Sequence, residues 1–396
     1  MAVNSLNFEQ SSAFLLALYN QATGANDIAS VNAGNFVTVA QKTLSTGYDT
    51  VINAISQVLG RTIFSVRPYE SKLSDIMVNE QIYGAITRKI NFIDGGVEDD
   101  SRMNLTDGQA VDQWVVKKPK ALQTNFYGFT QYQKSITIFK DQLDAAFSNA
   151  NDFGSFIGGV LRNVQDELNV IAEQEARACM INFATGKFAG DSKNAINVAQ
   201  LYFDQTGAEV SVADLYGTDK TENFVKWLYS TINTIIQNMT ERTEKYHINV
   251  TGNTIQRHTP EQYLKAYMLN SVNNSINANV LSSIFNPERL KTIDFKYVNF
   301  WQSIDTPGNV IAKPTYLQAD GTLKTEASDV TITNLLGMLF DEEALGITRA
   351  SCWTQATPMN ARGGYYNIFY HFTHRMWNDF TENGVILYLG TVDRGE

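Results

Sequence analysis

The chain has 396 residues, 43% of them hydrophobic, and its 41 acidic residues outweigh 31 Lys and Arg to leave a net charge of −10. That length and apolar content can bury one large core or two moderate ones. The acidic balance excludes a protein whose main task is to grip nucleic acid over a broad basic face.

Residues 5–20 carry apolar side chains at Leu6, Phe14, Leu15, Leu18 and Tyr19, a spacing that predicts a helix. No Lys or Arg precedes Lys42, so a secretory n-region is not expected, and the apolar run 13–19 (AFLLALY) is too short to span a bilayer. Residues 24–35 look like a flexible connection. Residues 49–59 (DTVINAISQVL) predict a second short helix stopped by Gly60. Residues 61–68 (RTIFSVRP) predict a strand.

A long hairpin is expected next. Residues 85–93 (AITRKINFI) and 113–118 (QWVVKK) are β-rich runs, and between them lie the turn signals Asp94-Gly95-Gly96 and Asp107-Gly108. A two-stranded ribbon buries too little apolar surface to be stable alone in water. The neighbouring sequence supplies no second layer, so another copy of the chain is its natural support, which is the signature of a building block.

Residues 134–140 (KSITIFK) predict a strand leading into a long helix over residues 153–180. Its buried stripe is Phe153, Phe156, Ile157, Val160, Leu161, Val164, Leu168 and Ile171, opposite a polar face that includes Arg162, Gln165, Asp166, Glu167, Glu173 and Arg177. At about 1.5 Å per residue it would run roughly 40 Å, capped by Ser148 or Asn151. Residues 186–219 read as loop. Thr221 and Glu222 open a helix with Phe224, Leu228, Ile232, Ile235, Ile236 and Met239 inside. Residues 247–251 (HINVT) predict a strand, and Thr259-Pro260-Glu261 the start of another helix. Strands follow at 335–340, 365–377 and 385–389. Strands before the long helix and strands at the chain's end are expected to share one sheet, with residues 215–335 inserted as an α/β unit.

Chemistry-bearing patterns are sparse. His371 and His374 form an HxxH pair, but on a strand, residues three apart face opposite ways, so packing outweighs a metal role. Asp341-Glu342-Glu343 has no neighbouring His or Cys in sequence and reads as a turn. Thr185-Gly186-Lys187 lacks the Gly and Ser/Thr that a phosphate loop needs. Cys179 and Cys352 form no framework and are expected as buried free thiols. No catalytic residue, metal ligand or cofactor is assigned. The hairpin's charges stand out. Six acids (Asp94, Glu98, Asp99, Asp100, Asp107 and Asp112) face one Arg102, and the arms carry Arg88, Lys89, Lys117, Lys118 and Lys120. Beside the reading of a solvated loop stands an inter-subunit one, an acidic tip docking on a neighbour's basic arm to fix register.

Three stretches carry a family resemblance: TNFYGFTQYQKSITIFKDQLDAAF at 124–147, FDEEALGITRA at 340–350, and YYNIFYHFTHRMWNDFTENGVILYLG at 365–390. The opening MAVNSLNFEQ and TGYDTVINAISQVLGRTIFSVRPY at 46–69 add to it. In order and phrasing, the chain resembles the major capsid proteins of tailed bacteriophages, particularly those of phages of gut bacteria. The resemblance implies an α+β Hong Kong 97-type fold. Its parts would be an N-terminal arm (1–60), peripheral domain (61–83), extended E-loop hairpin (84–125), peripheral domain with spine helix (126–214), axial domain (215–335) and return strands (336–396). It implies a shell protein that is not an enzyme, self-assembling in the host bacterial cytoplasm into hexamers and pentamers of a virion capsid. The implied partners are its own copies, a separate scaffolding protein (because only a short arm precedes the strands), a portal protein and packaged double-stranded DNA in weak non-specific contact, with no membrane. An encapsulin-like nanocompartment shell and, more remotely, a cytoplasmic hydrolase using the Asp341–Glu343 carboxylates are the alternatives.

Overall fold

The computed structural model describes residues 8–62, 73–78, 87–93, 104–111, 114, 116, 118, 120–126, 128–279 and 295–394. In chain order, helices α1 (Phe8–Thr23), α2 (Phe36–Ser45) and α3 (Tyr48–Thr62) precede strands β1 (Met77–Val78), β2 (Thr87–Ile93), β3 (Lys120–Phe126) and β4 (Thr130–Phe139). Helices α4 (Lys140–Ala146) and α5 (Ala150–Gly190) follow, then β5 (Ala195–Asn197), α6 (Val198–Thr206), α7 (Thr221–Thr240), β6 (Leu264–Leu269), α8 (Asn270–Asn279) and β7 (Lys296–Val298). Four short strands come next: β8 (Val310–Ala312), β9 (Thr315–Leu317), β10 (Leu323–Thr325) and β11 (Val330–Ile332). The chain closes on β12 (Leu335–Asp341), β13 (Leu345–Ala356), β14 (Tyr365–Asn378) and β15 (Gly384–Tyr388).

The chain forms two compact units. The first holds residues 1–83, 128–176 and 347–376. Its sheet runs β1-β13-β14-β4, so strands from either side of α5 are indeed neighbours. β14 alternates because one face is core: Tyr366, Ile368, Tyr370 and Phe372 are buried with Phe14, Leu15, Phe36, Phe147, Phe153 and Ile157. Phe153 is the hub, edge-on to Phe147 at 5.0 Å and to Phe36 at 5.8 Å.

The helix α5 is longer than its apolar stripe predicts, 41 residues from Ala150 to Gly190. Its start is capped by neither Ser148 nor Asn151 but by Asn149, whose Oδ1 accepts from the Asp152 amide at 2.9 Å. Of the expected stripe, Phe153, Ile157 and Leu168 are buried, and Phe156 and Val160 pack partly against the same core. Helix α2, for which the sequence pattern gives no expectation, buries Phe36, Val39, Ala40 and Thr43 on one face. Helix α3 does not stop at Gly60 but continues to Thr62. The strand expected at 61–68 loses its first two residues to this helix, and the rest lies outside the described residues.

The second unit holds residues 84–127, 177–346 and 377–396. Its five-stranded sheet is ordered β5-β15-β12-β6-β7, and all seven residues of the central β12 are buried. Three expectations fail in this unit. The interval 186–219 is not loop: it contains the end of α5 and all of α6, which Asn197 caps by accepting from the Ala199 amide and Gly207 ends at φ +71°. Residues 247–251 make only an isolated bridge, because His247 points inward between Asn383 (3.0 Å) and the Ile255 carbonyl (2.7 Å). After Pro260 comes one tight turn and then β6, since pairing with β12 and β7 on both edges outweighs the helix-start signal. At the end of α5, a Cβ on Gly190 would stand 2.3 Å from the Tyr316 ring, so only glycine allows that approach.

Phe153→Ala should cost about 3–5 kcal/mol by opening a cavity among Phe14, Phe36 and Phe147. Urea denaturation of the unassembled chain would measure it, and a cost below about 1 kcal/mol would contradict the hub.

Candidate functional site

β2 and β3 pair antiparallel over seven residues, from Thr87↔Phe126 to Ile93↔Lys120. The return strand is thus 120–126 and not 113–118. Pro119 has no N–H to give a ladder, and pairing begins directly after it. Val111, Trp114 and Val116 instead lie outside any strand, with 58%, 81% and 78% of their surface exposed. Alternation splits the ribbon into two faces. Lys89, Asn91 and Ile93 are half-buried, whereas Arg88, Ile90 and Phe92 are exposed, Phe92 by 75%.

The half-buried face is fixed by charge. Lys89 Nζ lies 2.5 Å from Glu382, 2.8 Å from Glu343 and 3.2 Å from Asp379. Arg257 meets Glu382 at 2.9 Å, donates to Asn91 Oδ1 at 3.1 Å, and donates through Nε to the Thr381 carbonyl at 3.1 Å. Asp379 is itself held by the amide and hydroxyl of Thr381 at 2.9 and 2.6 Å. Burial opposes the Lys89 charge, but Asp379 and Glu382 outweigh it and raise the ammonium above the ordinary lysine value. Burial likewise lifts the Glu382 carboxyl, with Lys89 and Arg257 pulling the other way. Two cations and three carboxylates therefore clamp one face of the ribbon to its own chain.

Of the residues expected at an inter-subunit contact, Arg88, Lys118 and Lys120 are exposed, and Lys89 is engaged within its own chain. Asp94, Glu98, Asp99, Asp100, Arg102, Asp112 and Lys117 lie outside the described residues. Sequence reasoning missed Arg257, Asp379 and Glu382, which no local pattern marks.

The remaining motifs have structural roles. His374 is buried against Glu175 at 2.5 Å, while His371 stacks on Trp353 at 3.9 Å from the opposite face of β14. Asp341 is not a solvated turn residue: it is buried and accepts from Thr259 at 2.8 Å. Glu342 sits 3.7 Å from Lys265. Lys187 is fully buried on Asp191 at 2.9 Å, and burial lowers its pKa. Cys179 is buried as expected, but Cys352 is exposed. Among the described residues, no His, Cys, Asp and Glu cluster suits a metal, and no helix is long and apolar enough to cross a membrane. A cleft of about 640 Å³ beside Phe92 is lined by both signs of charge, including Arg242, Arg257, Glu342 and Glu343.

Known proteins resemble this chain both in sequence and in fold. The family model of the Phi29-like phage major capsid protein matches residues 16–388. Among solved structures, a chain from the capsid structure of Staphylococcus phage Andhra superposes with a TM-score of 0.55 at 12% identity, covering 80% of this chain and 83% of that one. A chain from the structure of the head fiber and inner core protein gp22 of bacteriophage P68 gives 0.53 at 12% identity, covering 79% and 83%. No curated protein matches the sequence. The fold is of the Hong Kong 97 capsid type.

Lys89→Ala should destabilise the unassembled chain by about 3–5 kcal/mol near neutral pH, because buried carboxylates lose their counter-charge. The folded values of Glu382 and Lys89 both lie above their ordinary 4.5 and 10.5. Each contribution is therefore full below the ordinary value and lost as pH rises through the folded one. In the variant, Glu382 binds a proton more readily still, so the deficit should shrink between pH 7.5 and pH 5 in urea titrations. An unchanged deficit would contradict the clamp.

Proposed function

Because the chain belongs to the Phi29-like phage major capsid protein family, a family of structural proteins and not enzymes, we propose that it is the subunit from which a tailed phage builds an icosahedral shell of hexamers and pentamers around its double-stranded DNA. One observation supports this reading most: a two-stranded ribbon clamped to its own chain on one face and exposing Ile90 and Phe92 on the other. A ribbon so built needs a second layer, and a neighbouring copy provides it.

In this reading residues 84–125 are the E-loop, residues 215–335 the axial domain and α5 the spine helix. The acidic stretch with Asp94, Glu98, Asp99, Asp100 and Asp112 docks on the neighbour's exposed Arg88, Lys118 and Lys120, with Arg102 and Lys117 completing the charge pattern. Such contacts set register and partner choice more than raw affinity. Head-to-tail contacts that close into rings suit the capsomer plan. With a net charge of −10, packaged DNA is enclosed and not gripped. A scaffolding protein and a portal are the further partners, and assembly takes place in the host cytoplasm.

Expression with a candidate scaffolding protein, followed by sedimentation, tests the proposal. The unmodified chain should yield particles of uniform size holding DNA or empty. Asp99→Lys with Asp100→Lys should cut their yield at least tenfold while the monomer's circular dichroism stays unchanged. Small discrete oligomers from the unmodified chain would overturn the reading. Uniform shells loaded with a protein cargo would point to the encapsulin-like alternative.

A further inference from the structure

The last turn of α5 and the turn after it bury three polar side chains together in the second unit. Lys187 has none of its surface exposed and Asn194 only 1%. Asp191 joins them through a single oxygen: its Oδ2 accepts from Lys187 Nζ at 2.9 Å and from Asn194 Nδ2 at 2.7 Å. The backbone fixes this spacing. The Asp191 amide donates to the Lys187 carbonyl, and the Asn194 amide to the Asp191 carbonyl, both at 2.9 Å.

Two features do not suit a plain ion pair. Asn194 Oδ1 is buried and meets no donor, a state that folded proteins rarely leave uncompensated. Besides Asp191, the Lys187 ammonium has only a long bond to the Tyr246 carbonyl at 3.4 Å and the Phe183 ring at 5.7 Å. That ring is itself stacked on Phe380. Burial lowers the pKa of the amine, the usual way in which a lysine is made nucleophilic.

The two features answer each other. When Nζ passes a proton to Asp191, a neutral amine stands beside a carboxylic acid. The Asn194 carboxamide then turns so that its orphan Oδ1 accepts from the new O–H, which polarises Cγ toward the amine. One carboxyl group in reach of both nitrogens is the arrangement that a proton relay between them needs.

We propose that Lys187 and Asn194 of one chain become joined by an isopeptide bond, with Asp191 carrying the protons. The Nζ–Cγ bond forms and the Cγ–Nδ2 bond breaks. Nζ starts as an ammonium and ends as an amide N–H, so it gives up two protons. Nδ2 gains both through Asp191 and leaves as ammonium. Nothing is oxidised or reduced, and no co-reactant is needed. The bond ties the last turn of α5 to the residue before β5, and it links nothing between copies.

Intact mass spectrometry of the purified, denatured chain tests it. The unmodified chain should be lighter than its sequence dictates by one ammonia. Its tryptic fragments 178–193 and 194–220 should travel as one branched fragment, uncut after Lys187. Lys187→Arg, Asn194→Ala and Asp191→Ala should each keep the full mass, the last with both reacting residues present. Brief alkaline treatment should leave the deficit unchanged, whereas a succinimide at Asn383-Gly384, which also lacks one ammonia, would regain a water. Full mass in the unmodified chain would overturn the proposal. So would a deficit that alkali reverses, or loss of a water joining Lys187 to Asp191. A bond that persists in Asp191→Ala would overturn the role of Asp191. If the variants fail to fold, the unmodified chain decides alone.

Discussion

A ribbon of two strands is not a stable object in water, and the organisation of the second unit's functional face follows from that limit. β2 and β3 exchange a full set of backbone bonds with each other but share only fourteen side chains between two faces. One face is held by Lys89 and Asn91 against Glu343, Asp379, Glu382 and Arg257. The other is left with Ile90 and Phe92 open. A salt-bridge clamp suits this place better than apolar packing. Its bonds are directional, so they fix how the ribbon leaves its own chain, and specificity of geometry is what buried ion pairs supply more readily than stability. Burial lifts the Glu382 carboxyl, Lys89 and Arg257 pull it down, and the neighbouring Asp379 carboxylate adds to the upward shift.

The two units use their sheets differently. The five-stranded sheet buries its middle strand on both faces, with β12 flanked by β15 and β6. The four-stranded sheet presents one face to the aromatic core around Phe153, and among the described residues β4 is its end strand.

Much of this was legible in the sequence where the periodicity is local. The aromatic alternation of β14, the stripe of α5 and the apolar runs of β12 and β15 each state their structure within a dozen residues. The failures have nameable causes. QWVVKK has the composition of a strand but lies before Pro119, whereas the strand that pairs lies after it. Residues 264–269 follow a good helix-start signal, yet two neighbouring strands claim them. The capsid resemblance was carried by whole phrases of sequence and held up against the family match. The clamp was invisible for a different reason. Lys89 finds Glu343, Asp379 and Glu382 some 250 to 290 positions away, and no spacing rule reaches that far.

In the proposed shell the ribbon is fixed to its own chain at one face and covered by a neighbour at the other. A cryo-electron microscopy map of assembled particles tests it most directly. The expected map has β2 and β3 of each copy lying over an adjacent copy, with Phe92 covered and the Lys89–Glu382 contact intact. A map with the ribbon's exposed face still open to solvent, or folded onto its own subunit, would contradict it.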